Sequence, residues 1–180
     1  DAQLTYRRVF DVVWMGRRHV MMGASQIDQF GNQNISAIGD YAKPKVMLLG
    51  VRGAPGNTIN HTTSYWVAKH SSRVLVPKVS VVSGIGTDKA RKLGDSARFF
   101  DLRAVVTNLG VFDFASEDGR MRARSLHPGV TAAQVQQNTG FEVHLDAAVP
   151  TTAVPDAAQF AVLNQLDPDG ARYRWVPDLE

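Results

Sequence analysis

The segment at residues 50–60 constrains the fold and chemistry of this chain more than any other. Gly50, Gly53 and Gly56 are spaced three residues apart and follow the apolar run at 46–49. Glycine lacks a Cβ atom and readily adopts positive φ, so the backbone N–H groups of such a loop can close around an oxyanion or a phosphate. The pattern predicts a strand that ends in a ligand-binding loop, and a plain structural turn is the alternative.

Two common phosphate-binding patterns do not fit this loop. It has neither the G-x-G-x-x-G of a dinucleotide fold nor the Lys-Ser/Thr ending of a P-loop. The chain also contains no G-x-S-x-G elbow, which argues against an ordinary serine hydrolase.

Length and composition narrow the remaining classes. With 180 residues, 44% of them hydrophobic, we expect a single domain over residues 1–180. The net charge of +3 comes from scattered arginines, which favours small anionic ligands over nucleic acid. The absence of cysteine excludes a disulfide, a thiolate nucleophile and a Cys-ligated zinc within the chain, and the histidines lack metal-ligand spacing, so no metal is expected.

The sequence carries no signal for a membrane. No run approaches the roughly 20 apolar residues that a spanning helix needs, and the first residues have neither a basic nor an apolar leader region. We therefore expect a cytoplasmic protein. Because the chain does not begin with Met and opens almost at once in a helix-like segment, we also expect that an N-terminal segment is missing from it.

The hydrophobic pattern predicts an α/β domain with a mixed sheet. Amphipathic spacing indicates a helix over 6–18, a short helix capped by Thr131 and a last helix over 155–166. The core face expected for the last helix consists of Phe160, Val162, Leu163 and Leu166. Predicted strands lie at 19–23, 45–50, 73–76 and 79–82, followed by an antiparallel meander at 104–106, 110–114 and 120–126.

Several segments occur together in an order that resembles one family. They are residues 23–28, 31–34, 50–66, 81–86, 106–114 and 125–130. They resemble the β subunits of class I CoA-transferases, and most of all the IpdB-type β subunit of hydrolases that open the last ring of cholesterol catabolites as CoA thioesters. The resemblance covers residues 5–146.

The resemblance has consequences for fold and partners. It implies an open mixed α/β sheet of the CoA-transferase (NagB/RpiA-like) type and obligate pairing with an α subunit, as a heterodimer or an α2β2 heterotetramer. It also implies an acyl-CoA substrate near the subunit interface. Coenzyme A would enter as part of the substrate, with no permanently bound cofactor, and neither nucleic acid nor a membrane is expected as a partner.

The family contains both transferases and hydrolases, and the glutamates bear on the choice. Class I transferases use a glutamate that attacks the thioester. This chain has Glu117, Glu142 and Glu180, which fall in a turn, an expected strand and the C-terminus, where a solvated or structural role is expected. Either the nucleophile lies in the missing N-terminal segment or the complex does not transfer CoA. The IpdB-type resemblance favours the second choice, hydrolysis, in which water adds to the ring ketone of a cyclic β-oxo thioester and a carbon–carbon bond breaks in a retro-Claisen step.

Two other functions stay open from the sequence. The alternative enzyme is the β subunit of a glutaconate-type or 3-oxoacid-type CoA-transferase. A non-catalytic metabolite-sensing domain is the third possibility, because fold does not fix function.

Candidate site residues follow from the loop and from the resemblance. The catalytic residues are unknown, with the general base expected on the α subunit and possible support from Asn57, Asn60 and His61. The alternative is that Asn57 or Thr58 caps a helix and that His61 is structural. The residues predicted to bind substrate or CoA are Gly50, Arg52, Gly53, Gly56, Asn57, Gln26, Asp28, Tyr65, Gly84 and Gly86. Turn chemistry is the alternative for the polar stretch at 26–34 and for Gly84 and Gly86.

Overall fold

A computed structural model describes residues 3–15 and 19–175 of the chain. The helices are α1 (Tyr6–Trp14), α2 (Ala54–Asn60), α3 (Thr87–Leu93), α4 (Ala132–Gln137), α5 (Ala157–Leu166) and α6 (Ala171–Trp175), with a 3₁₀ turn at Gly94–Ala97. The strands are β1 (Val20–Gly23), β2 (Gln26–Ile27), β3 (Gln33–Asn34), β4 (Ala37–Ile38), β5 (Val46–Met47), β6 (Thr62–Val67), β7 (Asp101–Thr107), β8 (Gly110–Asp113) and β9 (Arg122–Leu126). None of these described helices has the length and apolar character that crossing a membrane requires.

The main sheet is open and mixed, as the sequence predicts. Its strand order is β1-β6-β7-β8-β9. The first three strands run parallel, with Met22 beside Tyr65 and Tyr65 beside Val105, and β7, β8 and β9 form the predicted antiparallel meander. Parallel strands end at one edge of a sheet, so the carboxyl end of β1 faces a crevice in which ligands bind in such folds.

The core packs against one side of this sheet. Side chains from strands, loops and α4 meet there, and burial of such apolar side chains supplies the main driving force for folding. The members of this core with no exposed surface are Ile27, Tyr65, Leu75, Val105, Phe112, Met121 and Val135.

Three predicted strands differ from the structure. The strand at 45–50 is reduced to β5, which pairs only with β4 and is exposed. Residues 73–76 and 79–82 form no strand, and Leu75 makes a single bridge to Ile27. These apolar runs cross the surface of the core as irregular chain, where Pro77 interrupts them and removes a backbone donor.

The sequence pattern does not predict strand β6, which lies between β1 and β7 in the sheet. Its buried positions include Thr63 and Ser64, whose polarity hides the usual apolar signal. Thr63 Oγ1 donates to the carbonyl oxygens of His61 and Asn57, and Ser64 Oγ is hydrogen-bonded to His19 Nε2 at 2.8 Å. Because these hydroxyls are satisfied within the protein, burying them costs little free energy.

The helices confirm most of the predicted pattern. Thr131 caps α4 in a capping box with Gln134, as expected. The first helix is present as α1, although residues 16–18 of its predicted span lie outside the described part of the chain. The last helix is present as α5, but its predicted core face is wrong, since α5 has no buried residue and Leu166 is 77% exposed.

Candidate functional site

A large cavity lies at the carboxyl end of β1, between α1 and the start of α2. Its volume is about 980 Å³. Chain segments far apart in sequence meet around it. The lining residues are Tyr6, Phe10, Met22, Gly23, Ala24, Ser25, Gln33, Ile35, Leu49, Arg52, Gly53, Ala54, Pro55, Gly56 and Asn57.

The wall of this cavity is mainly apolar. Tyr6 and Phe10, one helical turn apart on α1, stack edge to face with their ring centroids 5.2 Å apart. Leu49 and Ile35 add aliphatic surface, and Arg52 is the only charged residue among the described residues of the lining. A cleft of this kind suits an apolar ligand portion that is joined to an anionic one.

The glycine-rich segment is the first turn of α2 together with the residues before it. Gly53 is the N-cap, so the alternative in which Asn57 or Thr58 caps a helix is wrong. The Ala54 amide donates to Val51 O and the Asn57 amide donates to Gly53 O, at 3.0 and 2.9 Å. Pro55 has no N–H, and the amides of Gly53 and Gly56 have no partner among the described residues, which leaves two donors beside the cavity.

Six of the ten predicted binding residues lie outside the lining of this cavity, namely Tyr65 in the core and five others that serve other parts of the fold. Gly50 adopts φ +85° and lines a separate cavity of about 220 Å³. Gly84 and Gly86 are sites of close packing, because a Cβ at Gly84 would lie 2.8 Å from Thr58 Cγ2 and one at Gly86 would overlap the Phe30 carbonyl oxygen. The last two, Gln26 in β2 and Asp28 in the turn that follows it, are buried.

The side chains of Gln26 and Asp28 both accept hydrogen bonds from the surrounding protein. Gln26 Oε1 accepts from Asn34 Nδ2 at 2.8 Å and from the Ser80 amide at 3.0 Å. The Asp28 carboxylate accepts from the amides of Phe30 and Asn32 at 3.1 Å, and its burial raises its pKa. These contacts hold the turn between β2 and β3 in place, and a binding role for Gln26 or Asp28 stays a prediction.

The polar residues after the loop are divided between the cavity and the core. Asn57 lines the cavity and donates from Nδ2 to Met22 Sδ at 3.4 Å. Asn60 instead donates to Gly56 O, and His61 is buried, which lowers the pKa of its imidazole. Tyr65 lies within the core, where burial raises the pKa of its hydroxyl.

Gln33 is a cavity residue that the sequence pattern does not single out. It is fully buried, and its Nε2 donates to Gly23 O at 2.6 Å. Its Oε1 has no hydrogen-bond partner among the described residues. The run Asn32-Gln33-Asn34 was the sequence feature that could have indicated a role for Gln33, because strand alternation places Gln33 on the face opposite to its two neighbours.

Comparison with known proteins decides the family. The family model described as Coenzyme A transferase matches residues 13–138. This chain belongs to the coenzyme A transferase family. Within the family, it is 53% identical to the cholesterol ring-cleaving hydrolase IpdB subunit of Rhodococcus jostii (strain RHA1) over 177 residues, which are 98% of this chain and 70% of that protein.

Solved structures and more distant members of the family agree. The chain matches the crystal structure of Rhodococcus jostii RHA1 IpdAB with a TM-score of 0.94 and 51% identity, covering 99% of this chain and 72% of that one. A 3-oxoadipate CoA-transferase subunit of Pseudomonas knackmussii is 34% identical, over 81% of this chain and 57% of its own length. The open mixed sheet is thus the fold of the family.

Acidic residues and metal ligands are scarce around the cavity. Glu117 and Glu142 are exposed and lie outside its lining, and Glu180 is outside the described residues. Within residues 3–15 and 19–175, no group of three or more His, Cys, Asp or Glu is placed to hold a metal ion. The described residues therefore bring no carboxylate nucleophile into the cavity.

Proposed function

We propose that this chain is the β subunit of a heteromeric hydrolase that opens the ring of a cyclic β-oxo acyl-CoA in cholesterol catabolism. The observation that carries the proposal is the match to IpdAB, at 51% identity and a TM-score of 0.94 over 99% of the chain. Its partner is the α subunit of the same enzyme, in a heterodimer or an α2β2 heterotetramer. A cytoplasmic location is part of the proposal, because the phosphate charges of an acyl-CoA oppose its transfer through a bilayer.

The proposed reaction is a retro-Claisen hydrolysis. A general base on the α subunit takes a proton from water, and the resulting hydroxide adds to the ring ketone. The bond between that carbon and the α carbon of the thioester then breaks, which leaves a carboxylic acid and a thioester enolate that is protonated at carbon. No net oxidation or reduction occurs, so coenzyme A enters only as part of the substrate and no resident redox cofactor is required.

The cavity supplies groups that suit this chemistry. Negative charge develops on the thioester oxygen. The amides of Gly53 and Gly56, which have no partner among the described residues, are donors of the kind that stabilise an oxyanion. Arg52, exposed at the edge of the cavity, is available to the phosphates of coenzyme A. The apolar wall around Tyr6 and Phe10 suits the acyl ring.

A second candidate is the β subunit of a CoA-transferase. The 34% identity to a 3-oxoadipate CoA-transferase subunit favours it, and a family model that carries the transferase name covers residues 13–138. In that reaction a glutamate would become a glutamyl-CoA thioester. The exposed positions of Glu117 and Glu142, both outside the cavity, give the described residues no part in such a step.

Turnover by the assembled enzyme distinguishes the two candidates. The chain is co-expressed with its α subunit and incubated with a cyclic β-oxo acyl-CoA, with and without an acceptor carboxylate, and the products are identified by mass. We expect loss of substrate without acceptor, with the mass of one water added and CoA still attached. Movement of CoA to the acceptor, and only in its presence, would contradict hydrolysis and support the transferase.

A further inference from the structure

The Gln33 side chain is held so that its oxygen is left without a donor. The backbone of Gln33 is fixed on both sides, since its N–H donates to Gly84 O at 2.9 Å and its carbonyl accepts from the Ser83 amide at 2.8 Å. Its Nε2 donates to Gly23 O at 2.6 Å. Because only the nitrogen can donate to a carbonyl, this contact sets the orientation of the carboxamide and directs Oε1 away from Gly23.

No neighbouring group among the described residues satisfies that oxygen. The Thr58 hydroxyl and Gln33 Oε1 both lie beside Gly84. The hydroxyl proton is already used, because Thr58 Oγ1 donates to Ala54 O at 2.9 Å, and the same oxygen accepts from the Ile85 amide at 3.0 Å. Gln33 Oε1 is thus a buried acceptor without a partner in this part of the chain. Such a group costs free energy in the unliganded protein, and a ligand donor that reaches it recovers this cost.

The Gln33 side chain also borders the cavity. It lines the cavity together with Asn57 and Met22. The Asn57 side chain is held there by an N–H···S contact of 3.4 Å, which is a weak hydrogen bond. A ligand can therefore displace the Asn57 side chain from this part of the cavity at little cost.

We propose that Gln33 is a positioning residue for the acyl-CoA, and that its Oε1 accepts a hydrogen bond from an N–H or O–H donor of the bound substrate. This inference rests on the proposed function. Such donors occur on the coenzyme A part of the substrate, including the amides of the pantetheine arm, and as a hydroxyl on the acyl group, including the one formed when water adds to the ring ketone. A site with a buried acceptor discriminates strongly against ligands that lack the matching donor.

The test compares Gln33→Met with the wild type in the enzyme assembled with its α subunit. Methionine has a similar length but lacks the acceptor, so we expect Kd for the ligand to rise about tenfold or more. We expect the melting temperature without ligand to change little. The substitution removes a buried oxygen that has no donor, and the Gly23 carbonyl, which loses its bond to Gln33, is on an exposed residue and can accept from water instead. Thr139→Val is the control, since Thr139 is buried, bonded to His70 and outside the cavity. It should lower the melting temperature and leave Kd unchanged.

Three probes identify the donor, namely coenzyme A, acetoacetyl-CoA and a cyclic β-oxo acyl-CoA. Equal weakening of all three by Gln33→Met assigns the bond to the coenzyme A part, and weakening of the cyclic ester alone assigns it to the acyl group. Gln33→Glu should restore binding at mildly acidic pH, because a buried carboxylic acid stays protonated and can donate to Gly23 O while its other oxygen accepts. If Gln33→Met bound all three probes as tightly as the wild type does, the inference would be overturned. If the wild type bound none of the three, the proposed function itself would be overturned.

Discussion

Gly86 shows how a glycine that resembles a ligand residue can serve packing instead. Its N–H donates to Asn32 Oδ1 at 2.9 Å, and a Cβ at this position would lie 2.6 Å from the Asn32 backbone nitrogen. We therefore expect Gly86→Ala to lower the free energy of unfolding by about 2 kcal/mol, through overpacking. Urea denaturation measures this.

The control for this prediction is Gly23→Ala. Apart from its chain neighbours, no atom of the described residues lies within 4 Å of a Cβ built at Gly23, so the alanine should change the free energy of unfolding by no more than about 0.5 kcal/mol. If Gly86→Ala were as mild as Gly23→Ala, the approach of the chain around Asn32 to Gly86 would be looser than described.

Burial of His70 makes the stability of the protein depend on pH. The imidazole is buried, with Nδ1 bonded to Thr107 Oγ1 at 3.0 Å and Nε2 to Thr139 Oγ1 at 2.9 Å. Burial lowers its pKa from 6.5 to about 4. In the unfolded chain His70 takes up a proton as pH falls through 6.5, whereas in the folded chain its imidazole stays neutral until about pH 4. The contribution of His70 to the free energy of unfolding is therefore complete above pH 6.5 and is lost progressively as pH falls to about 4.

The predicted loss from His70 at pH 5 is about 2 kcal/mol relative to pH 7. Urea denaturation at both pH values measures it, and His70→Gln serves as the comparison because glutamine does not titrate. The variant should lose less stability between pH 7 and pH 5 than the wild type. Equal losses in the two proteins would show that other groups cause the acid sensitivity.

At the scale of elements, α5 shows that apolar residues in a helix need not be buried. Leu166 in α5 is 77% exposed, whereas Leu75, in a loop, is fully buried. We expect Leu75→Ala to reduce the free energy of unfolding by about 2–5 kcal/mol and Leu166→Ala by less than about 0.5 kcal/mol. Thermal or urea denaturation of the isolated chain tests the pair, and similar losses would mean that α5 packs against the domain in solution.

The same elements show how far the sequence predicts the fold. The meander and the capped helix α4 were predictable, because turn residues and a capping box are local signals. Strand β6 was not, since the hydrogen bonds that allow Thr63 and Ser64 to be buried come from residues distant in sequence or from backbone groups. The prediction of strands at 73–76 and 79–82 was wrong for the opposite reason, because apolar residues can also cover a core as irregular chain.

At the scale of the molecule, the cavity combines segments that no local pattern connects. The glycine-rich segment and Asn57 were predictable from composition, but the aromatic wall from α1 and the amide of Gln33 meet them only through the topology of the sheet. Gly84 and Gly86 carried the same composition signal as Gly53 and lie outside the cavity. The type of loop was therefore predictable, and the shape of the site was not.

Removal of the α1 wall provides a test of the assembled cavity. Phe10 lines the cavity and stacks on Tyr6, whereas Phe99 is 58% exposed, contacts Arg98 and lies outside the lining. We expect Phe10→Ala to raise Kd for a cyclic β-oxo acyl-CoA about tenfold, because it removes apolar contact area and an aromatic pair, and Phe99→Ala to leave Kd unchanged. Titration calorimetry on the complex with the α subunit measures both. The effect of Phe10→Ala should be smaller for free coenzyme A, since the apolar wall faces the acyl group. A loss of equal size for coenzyme A would place the pantetheine arm against α1 and the acyl ring elsewhere.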